Sequence, residues 1–226
     1  MNDSIIKVKN LTKSFKSGES ELVVLRNLNF EVPKGQFLSI TGRSGSGKST
    51  LLHQIGLLDR PNSGTIEIDG LDVSERSDRE RTGFRLNELG FVFQDYALIP
   101  ELNSVENVAV PLIMQGISKN RAYEMSHEAL DRVGLGLKDS NLPSQLSGGE
   151  QQRVSTARAI GHKPAIIFAD EPTANLDSET ADKVLNTFIE LHRGGLTIIM
   201  VTHEPEYAAM TQRVMKLADG NLTEET

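Results

Sequence analysis

The spacing of apolar positions changes several times along this chain, and each change marks a different kind of element. Through roughly the first 35 residues, and again in SGTIEIDG (63–70), polar and apolar residues alternate, which is the period of half-exposed antiparallel strands. Four short runs are instead apolar throughout and bounded by turn residues: QFLSITG (36–42), LGFVFQ (89–94), AIIFAD (165–170) and TIIMVTH (197–203). Runs of this kind predict strands buried on both faces of a parallel sheet. Helical patterns at STLLHQIGLL (49–58) and SETADKVLNTFIELHR (178–193) lie between them, with the spacing of βαβ units in a doubly wound sheet.

Residues 95–160 read differently. SVENVAVPLIMQG, RAYEMSHEALDRVG and the run after Ser147 carry helical periodicity with no strong strand among them, and predict a helical insertion between two core strands. The expected fold class is α/β: a parallel-sheet core, a flanking antiparallel β-subdomain and an inserted α-helical subdomain. One domain would span 1–226, with 1–94 and 161–226 forming the core and β-subdomain and 95–160 the helical part. The mixed-charge run SERSDRERTGFR (74–85) predicts a solvated helix face.

Composition narrows the function classes. With 226 residues, 38% of them hydrophobic, the chain buries a real core, and a net charge of −7 disfavours binding nucleic acid or anionic membrane through the whole surface. There is no cysteine, which removes disulfides, thiolate catalysis and cysteine-ligated zinc together. MNDSIIKVKN lacks a charged-then-apolar leader pattern, and no apolar run approaches the ~18 residues that cross a bilayer. The expectation is a cytoplasmic chain that serves any membrane process by docking to another protein.

The strongest chemical signal is GRSGSGKST, Gly42 to Thr50, a G-x-x-x-x-G-K-[ST] pattern that follows a predicted strand and opens a predicted helix. Gly42, Arg43, Ser44, Gly45, Ser46, Gly47 and Thr50 form a loop whose backbone N–H groups curl around a β-phosphate, helped by the positive end of the helix. Lys48 reaches the β- and γ-phosphates, and Ser49 offers its hydroxyl to Mg²⁺. A plain strand-to-helix turn is the rival reading, and the flanking strand and helix argue against it.

Three further strands end in polar residues. IIFADE closes with Asp170 and Glu171, which alternation along a strand sends in different directions, so that Asp170 would hold Mg²⁺ through water and Glu171 would activate the attacking water. Gln94 ends LGFVFQ and offers an amide oxygen toward metal and water, while His203 ends TIIMVTH within reach of a γ-phosphate. Ligands of open α/β sheets sit outside such strand ends. His53, His127, His162 and His192 are expected to be structural.

A second small turn, LSGGEQQRV, opens a helix at Ser147-Gly148-Gly149-Glu150 and is also suited to an anion. One nucleotide needs one cradle. The second loop therefore predicts a head-to-tail dimer, in which a second copy of the chain covers the exposed side of the γ-phosphate and two equivalent sites arise by symmetry.

These residues together resemble the ABC-type ATPases, the nucleotide-binding subunits of transporters, over essentially the whole chain. GRSGSGKST resembles the Walker A motif of P-loop NTPases, LSGGEQQRV the signature, and IIFADE Walker B; Gln94 matches the Q-loop, NLD with Asp177 the D-loop, and His203 the switch histidine. The resemblance implies ATP and Mg²⁺ as ligands, hydrolysis of ATP, and a membrane permease as partner at the cytoplasmic face. It also implies an adenine-stacking aromatic, for which LTKSF offers Phe15 where tyrosine is commoner. GFVFQDYALIPELNSVENVAVPLI (90–113) and ADEPTANLDS (169–178) are similar to the branch that includes lipoprotein-releasing and macrolide-exporter ATPases, with Ala174 standing where glycine is common. Two rivals remain at this point: a non-transporting complex that transmits force to cell-wall enzymes, and a soluble ATPase acting on DNA or ribosomes. The second usually needs fused ATPase units or a long coiled coil, and neither is present. A nucleotide kinase would share the first loop but has no use for LSGGEQQRV.

Overall fold

The computed structural model describes residues 4–18 and 20–225, and the chain forms two compact units, 1–82 with 195–226 and 83–194. In the first unit, strands β1 (Ser4–Ser17) and β2 (Ser20–Pro33) make a long antiparallel hairpin. Its register shifts near Asn10 and Asn27, whose positive φ values of 52° and 51° mark bulges that twist the ribbon. Strand β3 (Phe37–Thr41) is buried along most of its length and leads into helix α1 (Lys48–Ile55). Strands β4 (Ser63–Ile68) and β5 (Leu71–Asp72) extend the hairpin into a four-stranded sheet of order β2-β1-β4-β5. This is the antiparallel sheet that the alternating pattern predicts.

Helix α2 (Asp78–Glu88) leads into the second unit. Its charged sequence predicts a face wholly in water, yet Arg81 is buried and donates to the carbonyls of Val73 at 3.2 Å and Asp59 at 2.6 Å. A guanidinium carries enough donors to bond the carbonyls of two separate segments at once, which charge counting along a helix does not reveal.

The second unit pairs β6 (Leu89–Val92) in parallel with β7 (Ile166–Asp170), Val92 standing opposite Ala169. Between them run α3 (Ser104–Met114), α4 (Lys119–Arg132), two short 3₁₀ turns (Gly136–Lys138 and Pro143–Gln145) and α5 (Gly148–Ile160). Ala109, Leu112 and Ala122 centre a small core between α3 and α4. Asn103 caps α3 reciprocally with Glu106, and the buried Asn107 side chain donates to the carbonyls of Ile99, Leu102 and Asn103, which fixes the entry loop. Helix α6 (Ser178–Arg193) closes the unit with Val184, Leu185 and Phe188 fully buried, each worth about 1.5–3 kcal/mol of apolar transfer.

The chain then completes the first unit with β8 (Thr197–Val201), the short helix α7 (Pro205–Ala208) and the hairpin β9 (Arg213–Ala218) and β10 (Asn221–Glu225). Strand β3 is flanked in parallel by β8 and β9. The carboxyl ends of these parallel strands therefore open at one edge, and each unit presents such an edge.

Candidate functional site

In the first unit the edge of β3 is occupied by the glycine loop. After Gly42 a turn closes with Ser46 N donating to Arg43 O at 3.1 Å, and α1 begins at Lys48 behind an N-cap glycine with no side-chain cap. Gly47 has φ of 100°, and a Cβ there would lie 2.6 Å from Val24 Cγ1 on β2, so both backbone conformation and space demand glycine. An uncapped helix start of this kind leaves its first amides to an anion. Ser46 Oγ is buried without a hydrogen-bond partner among the described residues, a second polar group turned into the loop. Lys48 is 5% exposed, and its Nζ donates to Gly42 O at 3.0 Å and Arg43 O at 3.2 Å. The ammonium is thus folded across its own loop, where the oxygens of an anion would be stronger acceptors than neutral carbonyls. Ser49 and Thr50 occupy the next two positions of the first helical turn.

His203 lies two residues beyond β8, and it shares a cavity of about 560 Å³ with Gly42 and Arg43. The parallel pairing of β3 with β8 is the cause. On the other side of the loop, Leu22, Val24, Arg26, Ser44 and Gly220 help to line a cavity of about 740 Å³. Phe15 does not line that cavity. It stands 44% exposed on β1 with Lys13 Nζ 5.1 Å from its ring centroid, so a cation covers one face of the ring. Val24 and Arg26 escape the sequence reading, because alternation along β2 shows which side chains point inward and not which loop they meet.

In the second unit, β6 and β7 run parallel, so Gln94 and the carboxylates of Asp170 and Glu171 leave the strands at the same edge. The expected alternation at that carboxylate pair does not hold. Strand β7 ends at Asp170, and Glu171 has φ of 47°, which turns the chain out of the strand; a left-handed turn, not the pleat, sets its direction. Gln94 is exposed, and its carbonyl accepts from Asn175 Nδ2 at 3.0 Å.

Ser147 is the N-cap of α5, in a reciprocal capping box with Glu150. Backbone hydrogen bonding from Ser147, with Lys138 Nζ 3.3 Å away, holds the Glu150 carboxyl below its ordinary range in spite of partial burial. Gly148 and Gly149 are tightly enclosed: a Cβ on the first would sit 2.8 Å from Tyr96 Oη, and one on the second would collide with Thr180 Cγ2. Asp177 caps α6, accepting from Thr180 Oγ1 at 2.7 Å and Thr180 N at 3.0 Å, and these bonds lower its carboxyl. Asp177 and the second glycine turn are therefore joined through one residue, Thr180.

Of the histidines expected to be structural, His162 is largely enclosed, bonds the Leu89 carbonyl at 3.1 Å and is pushed toward its neutral form by burial. His127 stands 3.5 Å from Asp139 at the surface.

A family model described as ABC transporter matches residues 25–174. The chain is 44% identical to the lipoprotein-releasing system ATP-binding protein LolD of Aquifex aeolicus, covering 98% of this chain and 97% of that protein. It is also 44% identical to the macrolide export ATP-binding/permease protein MacB of Mannheimia succiniciproducens, where the match covers 99% of this chain and 35% of the larger protein. Among solved structures, the dimeric post-hydrolysis state of the ATP-binding cassette MJ0796 with ADP and Pi superposes with a TM-score of 0.90 at 41% identity, covering 98% of both chains.

Proposed function

The chain belongs to the ABC transporter family, and from that membership we propose that it is the ATP-hydrolysing cassette of a membrane transporter, working as an ATP-dependent homodimer. One observation carries the reading: each unit holds a glycine turn that opens a helix and is suited to an anion, the uncapped Gly47–Lys48 turn and the Ser147–Gly149 turn. The amides of Gly42 to Thr50 receive the phosphates of ATP, and Lys48 exchanges two neutral carbonyls for β- and γ-phosphate oxygens. The Ser147 turn of each chain covers the γ-phosphate held by the other, with Gly148, Gly149 and Glu150 forming its wall and Asp177 buttressing it through Thr180. Similarity to a dimeric cassette supports this arrangement.

The donor types suit Mg²⁺: Ser49 would offer a hydroxyl, Gln94 an amide oxygen and Asp170 a carboxylate reached through water, all hard oxygen donors. No cluster of three His, Cys, Asp or Glu stands together among the described residues, so the remaining ligands would be phosphate oxygens and water. When bound, the ion neutralises charge on the transferred phosphoryl group. Glu171 takes the proton of the water that attacks the γ-phosphorus, Gln94 orients that water, and His203 donates to a γ-phosphate oxygen as ADP departs with the bridging oxygen. The Phe15 ring offers a stacking surface to adenine.

Similarity to lipoprotein-releasing and macrolide-export proteins supports a permease partner and extrusion as the driven process. No helix among the described residues is long and apolar enough to cross a membrane, and the proposed location is the cytoplasmic face, held through the permease. The test is Glu171→Gln. Hydrolysis should fall by about 10²- to 10⁴-fold while ATP still binds, so light scattering should find a dimer with ATP and a monomer without it. A variant that hydrolyses ATP at the wild-type rate would overturn the assignment.

A further inference from the structure

Immediately after Gln94 the main chain does something costly. Tyr96 and Ala97 are both left-handed, with φ of 62° and 47°, and a non-glycine residue in that region costs about 1–2 kcal/mol. Two in succession persist only where the surroundings hold them.

Two local backbone bonds, Tyr96 N to Phe93 O at 3.2 Å and Ala97 N to Asp95 O at 2.7 Å, close the turn, and one side chain of α5 ties it to the rest of the unit. Arg158 donates through NH1 to Ala97 O at 2.6 Å and through NH2 to Tyr96 O at 3.0 Å, a fork closed on two consecutive carbonyls. Upstream, Gln152 Nε2 of the same helix donates to Phe93 O at 3.2 Å, and Asn175 Nδ2, four residues past Glu171, donates to Gln94 O at 3.0 Å. Tyr96 Oη meanwhile lies against Gly148 at the start of α5. The segment 93–97 is therefore tied to α5 near both ends of that helix, about 15 Å apart at 1.5 Å per residue. Burial lowers the Arg158 pKa and the Asp95 carboxylate opposes that effect, but a guanidinium stays charged and needs every acceptor it has.

We propose that Arg158 is a positioning residue for Gln94: its fork holds 95–97 in the left-handed turn that presents the glutamine, and makes the Ser147 turn, α5 and Gln94 move as one piece. The inference deepens the proposed function and rests on the role given there to Gln94. Engagement of the Ser147 turn with a nucleotide displaces α5, and the fork carries that displacement to the glutamine. Lysine would keep the charge and lose the planar fork. An ammonium can reach two consecutive carbonyls, as that of Lys48 does, but its donors rotate on a flexible stem and do not fix them as two guanidinium nitrogens do.

The test compares Arg158→Met and Arg158→Lys in the full chain, with three readouts: amide hydrogen exchange of 93–99, equilibrium ATP affinity, and kcat and KM for ATP. For Arg158→Met we expect exchange faster by about tenfold or more, ATP affinity within about twofold of wild type, and kcat lower by about tenfold, with Arg158→Lys intermediate. Unchanged exchange would overturn the clamp, and faster exchange with wild-type kcat would overturn its positioning role. Gln94→Ala separates the two readings: a wild-type rate in that variant removes the role of Gln94 in turnover, while exchange in Arg158→Met still reports whether the fork holds the loop. Should Arg158→Met lose cooperative melting, Asn175→Ala removes an exposed tie to the same segment and is read in the same three ways.

Discussion

Ser147 and Glu150 cap each other: Ser147 N donates to Glu150 Oε2 at 2.8 Å, and Glu150 N donates to Ser147 Oγ at 3.3 Å. The pair satisfies the third amide of α5 and the amide before the helix, and leaves the first two helical amides, those of Gly148 and Gly149, directed out of the helix start. The same two residues assigned to the proposed second anion site thus also hold its helix in place.

That double duty has a pH signature. The Glu150 carboxyl is lowered from 4.5, first by the Ser147 backbone bond, so its stabilising contribution is complete above 4.5 and is lost as pH falls through the lower folded value. Glu150→Gln keeps an acceptor and loses the charge. The variant should be less stable than wild type by a few tenths to about 1 kcal/mol near neutral pH, discounted for exposure, and the gap should close in acid. Urea unfolding of both proteins at about pH 7 and about pH 3 measures it. A gap that persists unchanged at the lower pH would show that the charge contributes nothing.

Gly149 and Thr180 give a steric prediction. Gly149→Ala places a methyl on Thr180 Cγ2, and although alanine favours helix, the collision should cost about 1–3 kcal/mol. Thr180→Ser removes that methyl but keeps the hydroxyl that donates to Asp177. The double variant should recover most of the loss in thermal unfolding. Additive losses in the double variant would place the strain elsewhere.

What could be read from the sequence was local. Helix α6 is predicted at 178–193 and found at Ser178–Arg193, because an aspartate cap, a 3.6-residue apolar stripe and Gly194 all lie within one stretch. The glycine loop is equally self-contained, since the proposed phosphate chemistry sits in nine consecutive residues. The β9–β10 hairpin escapes prediction because its charged residues, such as Lys216 and Glu224, interrupt the apolar pattern at exposed positions. Long-range features escape for a different reason. The Arg158–Tyr96 bond spans 62 residues, and no period in either segment announces it. The left-handed turn at Glu171 likewise depends on how the chain leaves β7, which the apolar run of that strand does not encode.

Lys48 provides the most direct test of the first loop. Its ammonium rests on Gly42 O and Arg43 O, so Lys48→Ala removes internal bonds as well as those expected to phosphate. Charge-assisted bonds are worth about 1.5–3 kcal/mol, which corresponds to ATP binding weaker by about 10- to 100-fold. Isothermal titration calorimetry reads this, and circular dichroism checks that α1 is retained. Equal affinity in the variant and the wild type would remove the lysine from the phosphate site.

The helix that carries the second turn is anchored at its far end by a residue that titrates. His162, two residues beyond α5, bonds the Leu89 carbonyl at the start of β6, and burial lowers its pKa from 6.5 while that bond acts in the opposite direction. The unfolded chain therefore binds more protons just below pH 6.5, and the stability from neutral His162 is complete above 6.5 and falls as pH drops toward the folded value. The urea midpoint should decline between about pH 7.5 and about pH 5.5, and His162→Gln, which retains a donor for Leu89, should flatten that decline. Hydrogen exchange should report the acid loosening first in β6 and the end of α5, because these are the segments the imidazole joins. If wild type and variant lose stability with the same slope, other groups carry the titration and His162 is only a spacer between helix and strand.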